Sequence, residues 1–286
     1  MHRDVTFKAR DGTSLSGWFF PVERAGGTVP CVVLTHGFSA QIDFGLEPFA
    51  RILQGAGIAA LLYDHRGWGR SGSEPRLQSD PFQQVHDMRD AVTYLATLPE
   101  VDEHRIGIWG NSYSGGVALM VAAVDRRVKS VVAVAPLISG SAGMRRMMGE
   151  QNHATHLAEM ARVRKAEMLS GTVAYRQHTA HEETIAWFRE ADHEGQWQNR
   201  VATLSYDMMG EFEPGDYVPR IAPTPLLMVV PEDDTRSPAD MQLDAFERAK
   251  QPKQLIRMKG GHYEPYRQVD AVGGAARDWF LKTLAR

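Results

Sequence analysis

The stretch around Ser112 has residue types suited to nucleophilic chemistry. Residues 106–109 are apolar and predict a strand, whereas residues 113–124 carry apolar side chains at helical spacing. Ser112 lies between these segments, with Gly110 two positions before it and Gly115 three positions after it. A sharp turn from strand to helix exposes a serine Oγ above a sheet and requires small neighbours. The pattern therefore predicts a nucleophile elbow at Ser112.

Ser114 offers a second register for the same motif. It occupies the position where a glycine usually completes the pattern, and a frame running from Ser112 to Gly116 would make Ser114 the nucleophile. That frame moves the serine further from the end of the strand, so the sequence favours Ser112. In the plainer alternative, the serine only caps the N terminus of the helix.

A serine hydroxyl is a weak nucleophile at neutral pH, so chemistry at Ser112 requires a base and an acid. Of the 11 histidines, His262 follows the last predicted strand in a Gly-Gly-His loop. Such loops lie at the edge of the sheet where ligands bind in open α/β folds. Three adjacent acids, Glu232, Asp233 and Asp234, follow the preceding strand. The residues alone leave the choice among these acids open.

The elements that would position these residues indicate one α/β domain. Residues 5–10 and 15–20 predict an antiparallel hairpin that turns at Asp11-Gly12. Short apolar runs then alternate with helices, which is typical of a parallel sheet covered on both faces. The runs are residues 31–34, 59–63, 106–109, 128–134, 225–230 and 254–258, and the helices are residues 48–54, 82–98, 113–124, 239–250 and 269–284.

Residues 137–220 interrupt this alternation. The segment is rich in Met, His, Arg and Glu, and residues 156–169 and 182–190 predict helices. The sequence therefore predicts a core of residues 1–136 and 221–286, with residues 137–220 inserted as a helical lid.

Such a lid would shape a substrate pocket, and methionine side chains suit an adaptable apolar wall. Candidates for that wall are Met144, Met147, Met148, Met208 and Met209. Arg145, next to Arg146, is a candidate to bind a carboxylate or phosphate of the substrate. The plainer roles are core filling for the methionines and solvation for the arginines.

Composition limits the partners of the chain. A net charge of -3 over 286 residues does not favour nucleic acid. The apolar stretches 117–124 and 128–136 are too short to span a bilayer, and the first residues lack the apolar core of a secretory signal. The lone Cys31 sits in an apolar run and predicts a buried thiol. We therefore expect a cytoplasmic protein that binds a small molecule, with its oligomeric state open and a homodimer among the alternatives.

Three further motifs resemble those of the α/β-hydrolase superfamily. His36-Gly37-Phe38 resembles its oxyanion loop, and residues 63–71 resemble its Asp-x-Arg-Gly-x-Gly-x-Ser turn. Residues 231–234, followed by Pro238, resemble the loop whose last aspartate is catalytic. The likeness covers nearly the whole chain outside the insertion. Residues 109–116 and 219–227 look like the branch that includes fungal polyketide acyltransferases and dipeptidyl-peptidase-like or cocaine-esterase-like hydrolases.

This resemblance implies an α/β-hydrolase fold with a mostly parallel central sheet, an antiparallel N-terminal hairpin, helices on both faces and a helical lid. It implies that Ser112 is the nucleophile, His262 the base and Asp234 the acid. Backbone N–H groups of Phe38 and Tyr113 would form the oxyanion hole, and no cofactor is expected. The expected activity is hydrolysis of a carboxylic ester through an acyl-enzyme. Acyl transfer, or cleavage of a thioester or C–C bond in a polyketide-like acyl substrate, is the alternative.

Two alternatives belong to other classes of protein. The insertion carries histidines at spacings that suit a metal site, namely His153, His156, His178, His181 and His193. The fold would also serve a non-catalytic protein that binds a small molecule. A further histidine, His65, lies in a context typical of a loop or surface residue.

Overall fold

The computed structural model describes residues 1–23 and 27–285, and a mixed sheet forms their centre. The strands are β1 (Arg3–Lys8), β2 (Ser14–Phe20), β3 (Val29–Thr35), β4 (Ala59–Tyr63), β5 (Val101–Asn111), β6 (Val128–Val134), β7 (Tyr175–Gln177), β8 (Arg200–Ala202), β9 (Leu226–Pro231) and β10 (Lys253–Met258). The central sheet has the order β1-β2-β4-β3-β5-β6-β9-β10. β1 and β2 form the predicted antiparallel hairpin, and β2 also pairs antiparallel with β4. The other strand pairs of the central sheet are parallel.

Helices cover both faces of this sheet. Their bounds are α1 (Glu47–Gly55), α2 (Pro81–Leu95), α3 (Tyr113–Val124), α4 (Gly140–Met148), α5 (Glu150–Ser170), α6 (Glu182–Ala191), α7 (Leu204–Gly210), α8 (Ala239–Arg248), α9 (Glu264–Arg267) and α10 (Val269–Thr283). Side chains alternate across each strand, so Val33 belongs to the buried cluster that includes α2, α3 and α8, while Leu34 belongs to the one that includes α1 and α10. This double burial explains why the strands are continuously apolar.

The segment 137–220 covers the sheet at the carboxyl ends of the strands. It contains α4 to α7, but β7 and β8 also pair as an antiparallel ribbon that the sequence did not predict. A 3-10 helix, Pro214–Arg220, ends the segment, and its Val218 is buried in the same cluster as Val117 of α3. The chain therefore rejoins the packing of the core before residue 221. Of the proposed core segments, residues 24–26 and 286 lie outside the described residues.

Cys31 is fully buried in β3, as its apolar neighbours predicted. Within the part of the chain that the structure describes, no helix combines the length and the apolar composition needed to cross a bilayer. The cytoplasmic location stays a prediction.

Phe280 tests how far the closing helix stabilises the fold. Its side chain is fully buried between α10 and the sheet, whereas the neighbouring Leu281 is 46% exposed. We expect Phe280→Ala to lower the free energy of unfolding by about 3–5 kcal/mol, because it leaves a cavity in the core. Leu281→Ala is the matched control and should change it by less than about 0.5 kcal/mol. Urea denaturation measures both, and equal effects would contradict this description of the core.

Candidate active site

The turn between β5 and α3 places Ser112 above the sheet. The backbone of Ser112 has φ 56° and ψ -120°, a left-handed conformation that non-glycine residues rarely adopt. Its N–H donates to the carbonyl of Val134 over 2.8 Å. A Cβ at Gly110 would lie only 1.9 Å from the carbonyl oxygen of Ser114. The strand and the helix can therefore approach this closely only because residue 110 is glycine.

Ser112, His262 and Asp234 form one hydrogen-bonded line. His262 Nε2 lies 2.8 Å from Ser112 Oγ, and His262 Nδ1 lies 2.8 Å from Asp234 Oδ2. The three residues come from the loops that follow β5, β10 and β9, which all end at the same edge of the sheet. Both His262 and Asp234 are buried. In this order the imidazole can take the proton of the serine hydroxyl, while the carboxylate orients the ring and stabilises its protonated form.

Four donors hold the carboxylate of Asp234. The N–H groups of Arg236 and Ser237 donate to Oδ1 over 2.8 and 2.9 Å, and Gln242 Nε2 shares Oδ2 with His262 over 3.2 Å. Sequence reasoning missed Gln242. A polar residue on the buried face of α8 was the available signal.

The other two acids of the loop have different partners. Glu232 pairs with Arg257 at 2.8 Å, and the exposed Asp233 accepts the N–H of Gly260 over 3.2 Å. Of the three adjacent acids, only Asp234 contacts His262 within the described residues.

The loop after β3 brings Phe38 beside the serine. Gly37 packs closely against Ser112, since a Cβ added to Gly37 would lie 3.4 Å from Ser112 Cβ. The Gly37 carbonyl accepts hydrogen bonds from His36 Nδ1 over 3.0 Å and from the Ala40 N–H over 3.3 Å. Because the carbonyl and the following N–H of a trans peptide point in opposite directions, these bonds fix the direction of the Phe38 N–H.

Tyr113, directly after Ser112, supplies a second N–H. It is the first residue of α3, where a backbone N–H has no partner within the helix. Phe38 and Tyr113 both line the cavity that contains Ser112.

His65 lies in the loop after β4, as its context predicted, but it is buried beneath the elbow, so its interpretation as a surface residue was wrong. Its Nε2 lies 2.7 Å from Ser114 Oγ, and the Ser114 hydroxyl donates to the carbonyl of His36. Burial lowers the pKa of His36 to about 4 and lowers that of His65 well below its ordinary value. The hydroxyl of Ser114 is therefore bonded within the core, whereas that of Ser112 faces His262.

The cavity beside Ser112 has mainly apolar walls. Met144 and Met147 of α4, with Met209 of α7, line it as candidates from the sequence. Met148 and Met208 are not among the lining residues. Other apolar side chains on its walls are Phe38, Leu137, Trp187, Phe188, Tyr263 and Tyr266.

Arg145 also lies outside this cavity. The helical turn directs it away from Met144, and its guanidinium is exposed and lies 3.6 Å from Glu150. The neighbouring Arg146 pairs with Asp240 on the surface. The position proposed to bind a substrate anion is thus occupied by a solvated ion pair, and the helix periodicity explains the difference.

Two polar side chains of the cavity were missed as pocket residues. Arg236 lines the cavity from the loop after β9, which carries Asp234 and is called the acid loop below. Its Nη1 lies 3.4 Å from Met147 Sδ. His178 lines it from the end of β7, and its Nδ1 lies 3.1 Å from the hydroxyl of Tyr206. Burial lowers the pKa of His178 to about 4, and the charge of Arg236 acts in the same direction. The position of Arg236 between Asp234 and Pro238 in the sequence was the signal that could have identified it as a pocket residue.

The histidines of the insertion do not assemble. Residues 1–23 and 27–285 contain no group of three or more His, Cys, Asp or Glu side chains that could hold a metal ion. His153 and His156 lie on α5, His178 lines the cavity, and His181 Nδ1 lies 3.3 Å from Thr184 Oγ1.

The chain belongs to the α/β-hydrolase family, whose sequence model, described as the alpha/beta hydrolase family, matches residues 32–273. It is 34% identical over 294 residues to the polyketide transferase grgF of Penicillium sp, covering 99% of this chain and 97% of the relative. It is 33% identical over 293 residues to a thiohydrolase of Eupenicillium brefeldianum, covering 96% and 89% respectively.

A solved structure gives the same result. The crystal structure of the alpha/beta hydrolase GrgF from Penicillium sp. sh18 matches with a TM-score of 0.87 and 32% identity, covering 100% of both chains. The predicted fold class and the predicted likeness to fungal polyketide acyltransferases are thus confirmed.

Gly110→Ala tests the closure of the elbow. Because the new Cβ would overlap the backbone of Ser114, we expect a loss of about 3 kcal/mol in the free energy of unfolding. Gly274→Ala in α10 meets no atom closer than 3.9 Å and should be neutral or stabilising by up to about 1 kcal/mol. Thermal unfolding of the two variants measures the difference, and equal midpoints would show that the close approach at Gly110 is not required.

Proposed function

We propose that the protein cleaves an acyl thioester through a Ser112-His262-Asp234 triad and an acyl-enzyme. The hydrogen-bonded line of these three residues at an apolar cavity carries the proposal. A mainly apolar wall suits an acyl chain, since burial of apolar surface supplies binding free energy.

In the first half of the reaction, Ser112 Oγ attacks the thioester carbonyl while His262 Nε2 takes the hydroxyl proton. Asp234 holds the Nδ1 proton of His262 and stabilises the imidazolium. The N–H groups of Phe38 and Tyr113 bind the oxyanion that forms on the carbonyl oxygen. The C–S bond then breaks, and the thiol leaves with the proton from His262.

In the second half, His262 takes a proton from water, which attacks the acyl carbon. The bond from that carbon to Ser112 Oγ breaks, the serine regains its proton from His262, and a carboxylic acid is released. An acceptor other than water would give acyl transfer by the same steps. The likeness to a polyketide transferase favours transfer as a second candidate.

The likeness to named thiohydrolases supports a thioester as the substrate. The same triad also serves oxygen esters, because the pocket and the access of water decide the reaction. Hydrolysis of a carboxylic ester, the activity expected from the resemblance to α/β-hydrolases, therefore remains a prediction for experiment.

Covalent labelling tests the nucleophile. We expect Ser112→Ala to abolish labelling by a fluorophosphonate probe, because the probe reacts with an activated serine oxygen. Ser114→Ala is the matched control and should keep most of the labelling, since Ser114 Oγ is bonded to His36 and His65 in the core. Labelling of the Ser112 variant at the wild-type rate would refute the triad. Loss of labelling only in a folded Ser114 variant would make Ser114 the nucleophile.

A matched pair of substrates tests the bond that is cleaved. Both substrates carry the same medium-length acyl chain and the same leaving group. The two parts are linked through sulfur in one substrate and through oxygen in the other. We expect kcat/KM to be at least about tenfold higher for the thioester, equivalent to about 1.4 kcal/mol in the barrier. A faster oxygen ester would instead identify a carboxylesterase. Absence of both turnover and labelling would support a non-catalytic binding protein.

A further inference from the structure

His178 is a second histidine in the cavity of Ser112. Its ring packs against Phe38 of the loop after β3, with centroids 5.3 Å apart, and against Phe188 of α6 at 5.7 Å. The triad does not use it. Because His178 and Ser112 line the same cavity, His178 can contact an acyl group that is bound to Ser112.

The contacts of His178 define its tautomer. The hydroxyl of Tyr206 donates its only proton to the backbone carbonyl of His178. The contact of 3.1 Å between Tyr206 Oη and His178 Nδ1 therefore requires Nδ1 to be the donor. Burial and the charge of Arg236 lower the pKa of His178 and so disfavour a protonated ring. A neutral ring with its proton on Nδ1 has an acceptor lone pair on Nε2.

No donor from the described ranges, 1–23 and 27–285, bonds to that Nε2. The same cavity contains the guanidinium of Arg236, which has five N–H donors. Across those ranges, the only hydrogen bond of the Arg236 side chain goes to Met147 Sδ, a weak acceptor. The cavity thus offers an acceptor and a set of donors from two side chains on its walls.

A hydroxyl group matches this pair chemically, because it has a proton to donate to His178 Nε2 and lone pairs to accept from Arg236. A carboxylate has no proton to donate to Nε2, and Arg236 repels an ammonium group. Neither ion satisfies both side chains.

We propose that His178 and Arg236 determine specificity by binding a hydroxyl group on the acyl chain, so that hydroxyacyl thioesters are the preferred substrate class. The inference rests on the proposed function, because it places the acyl chain in the cavity beside Ser112.

The experiment compares phenyl thioesters of equal chain length, with and without a hydroxyl at successive carbons. These substrates lack amide groups, so the hydroxyl is the only added donor. For one position of the hydroxyl, we expect kcat/KM of the wild-type protein to be about tenfold higher than for the plain chain. His178→Asn keeps an amide donor near Tyr206 but lacks the Nε2 acceptor, and it should lower this ratio to about one. A purely structural role would lower both values together and leave their ratio unchanged.

The control variant is His181→Asn. His181 contacts Thr184 and does not line the cavity, so this variant should keep the wild-type ratio. If His178→Asn does not fold, Arg236→Gln tests the inference in its place. It should also lower the ratio of kcat/KM between the hydroxylated and the plain chain.

Two outcomes overturn the inference and leave the proposed function intact. In the first, the wild-type protein is labelled at Ser112 but cleaves hydroxylated and plain chains equally at every position. In the second, folded His178→Asn keeps the full preference. Failure of the wild-type protein to be labelled or to cleave any thioester contradicts the proposed function and the inference together.

Discussion

The close approach of β5 to α3 at Gly110 is the constraint on which the site depends. It holds Ser112 in a left-handed backbone conformation and directs its Oγ above the carboxyl edge of the sheet. Since parallel strands end at the same edge, the loops after β3 and β10 lie beside that oxygen, and the loop after β9 reaches it through His262. The imidazole of His262, the carboxylate of Asp234 and the N–H of Phe38 therefore meet although they are distant in the sequence.

Buried polar groups beneath the site make this geometry costly to disturb. Ser114 bonds both His65 and the carbonyl of His36, and Gln242 supports Asp234 from α8. A buried polar group that loses its partner costs about 1–3 kcal/mol, so each of these bonds favours a single arrangement. The loop that carries Phe38 and the loop that carries the acid are thus held from below by the core, not only by the chain around them.

Continuous apolar burial made much of the fold predictable. The bounds of β4, β6 and α3 match the sequence analysis, because both faces of these strands and most of the helix are buried. The start of β5 was missed, since residues 102–105 are polar and Arg105 pairs with Asp102. The ribbon of β7 and β8 was missed because its strands have only three residues each. His65 shows the limit for the site, because tertiary packing, not its neighbours in sequence, buries it.

The contact between Met147 and Arg236 joins the insertion to the acid loop at the cavity, and 47% of Met147 is exposed. Methionine sulfur oxidises to a polar sulfoxide, and reductases can reverse this oxidation. The sulfoxide oxygen is a far stronger acceptor than the thioether, so oxidation would draw the guanidinium toward α4 and away from a bound substrate. Oxidation of this one exposed side chain would in this way change the polar groups that the cavity offers to a ligand.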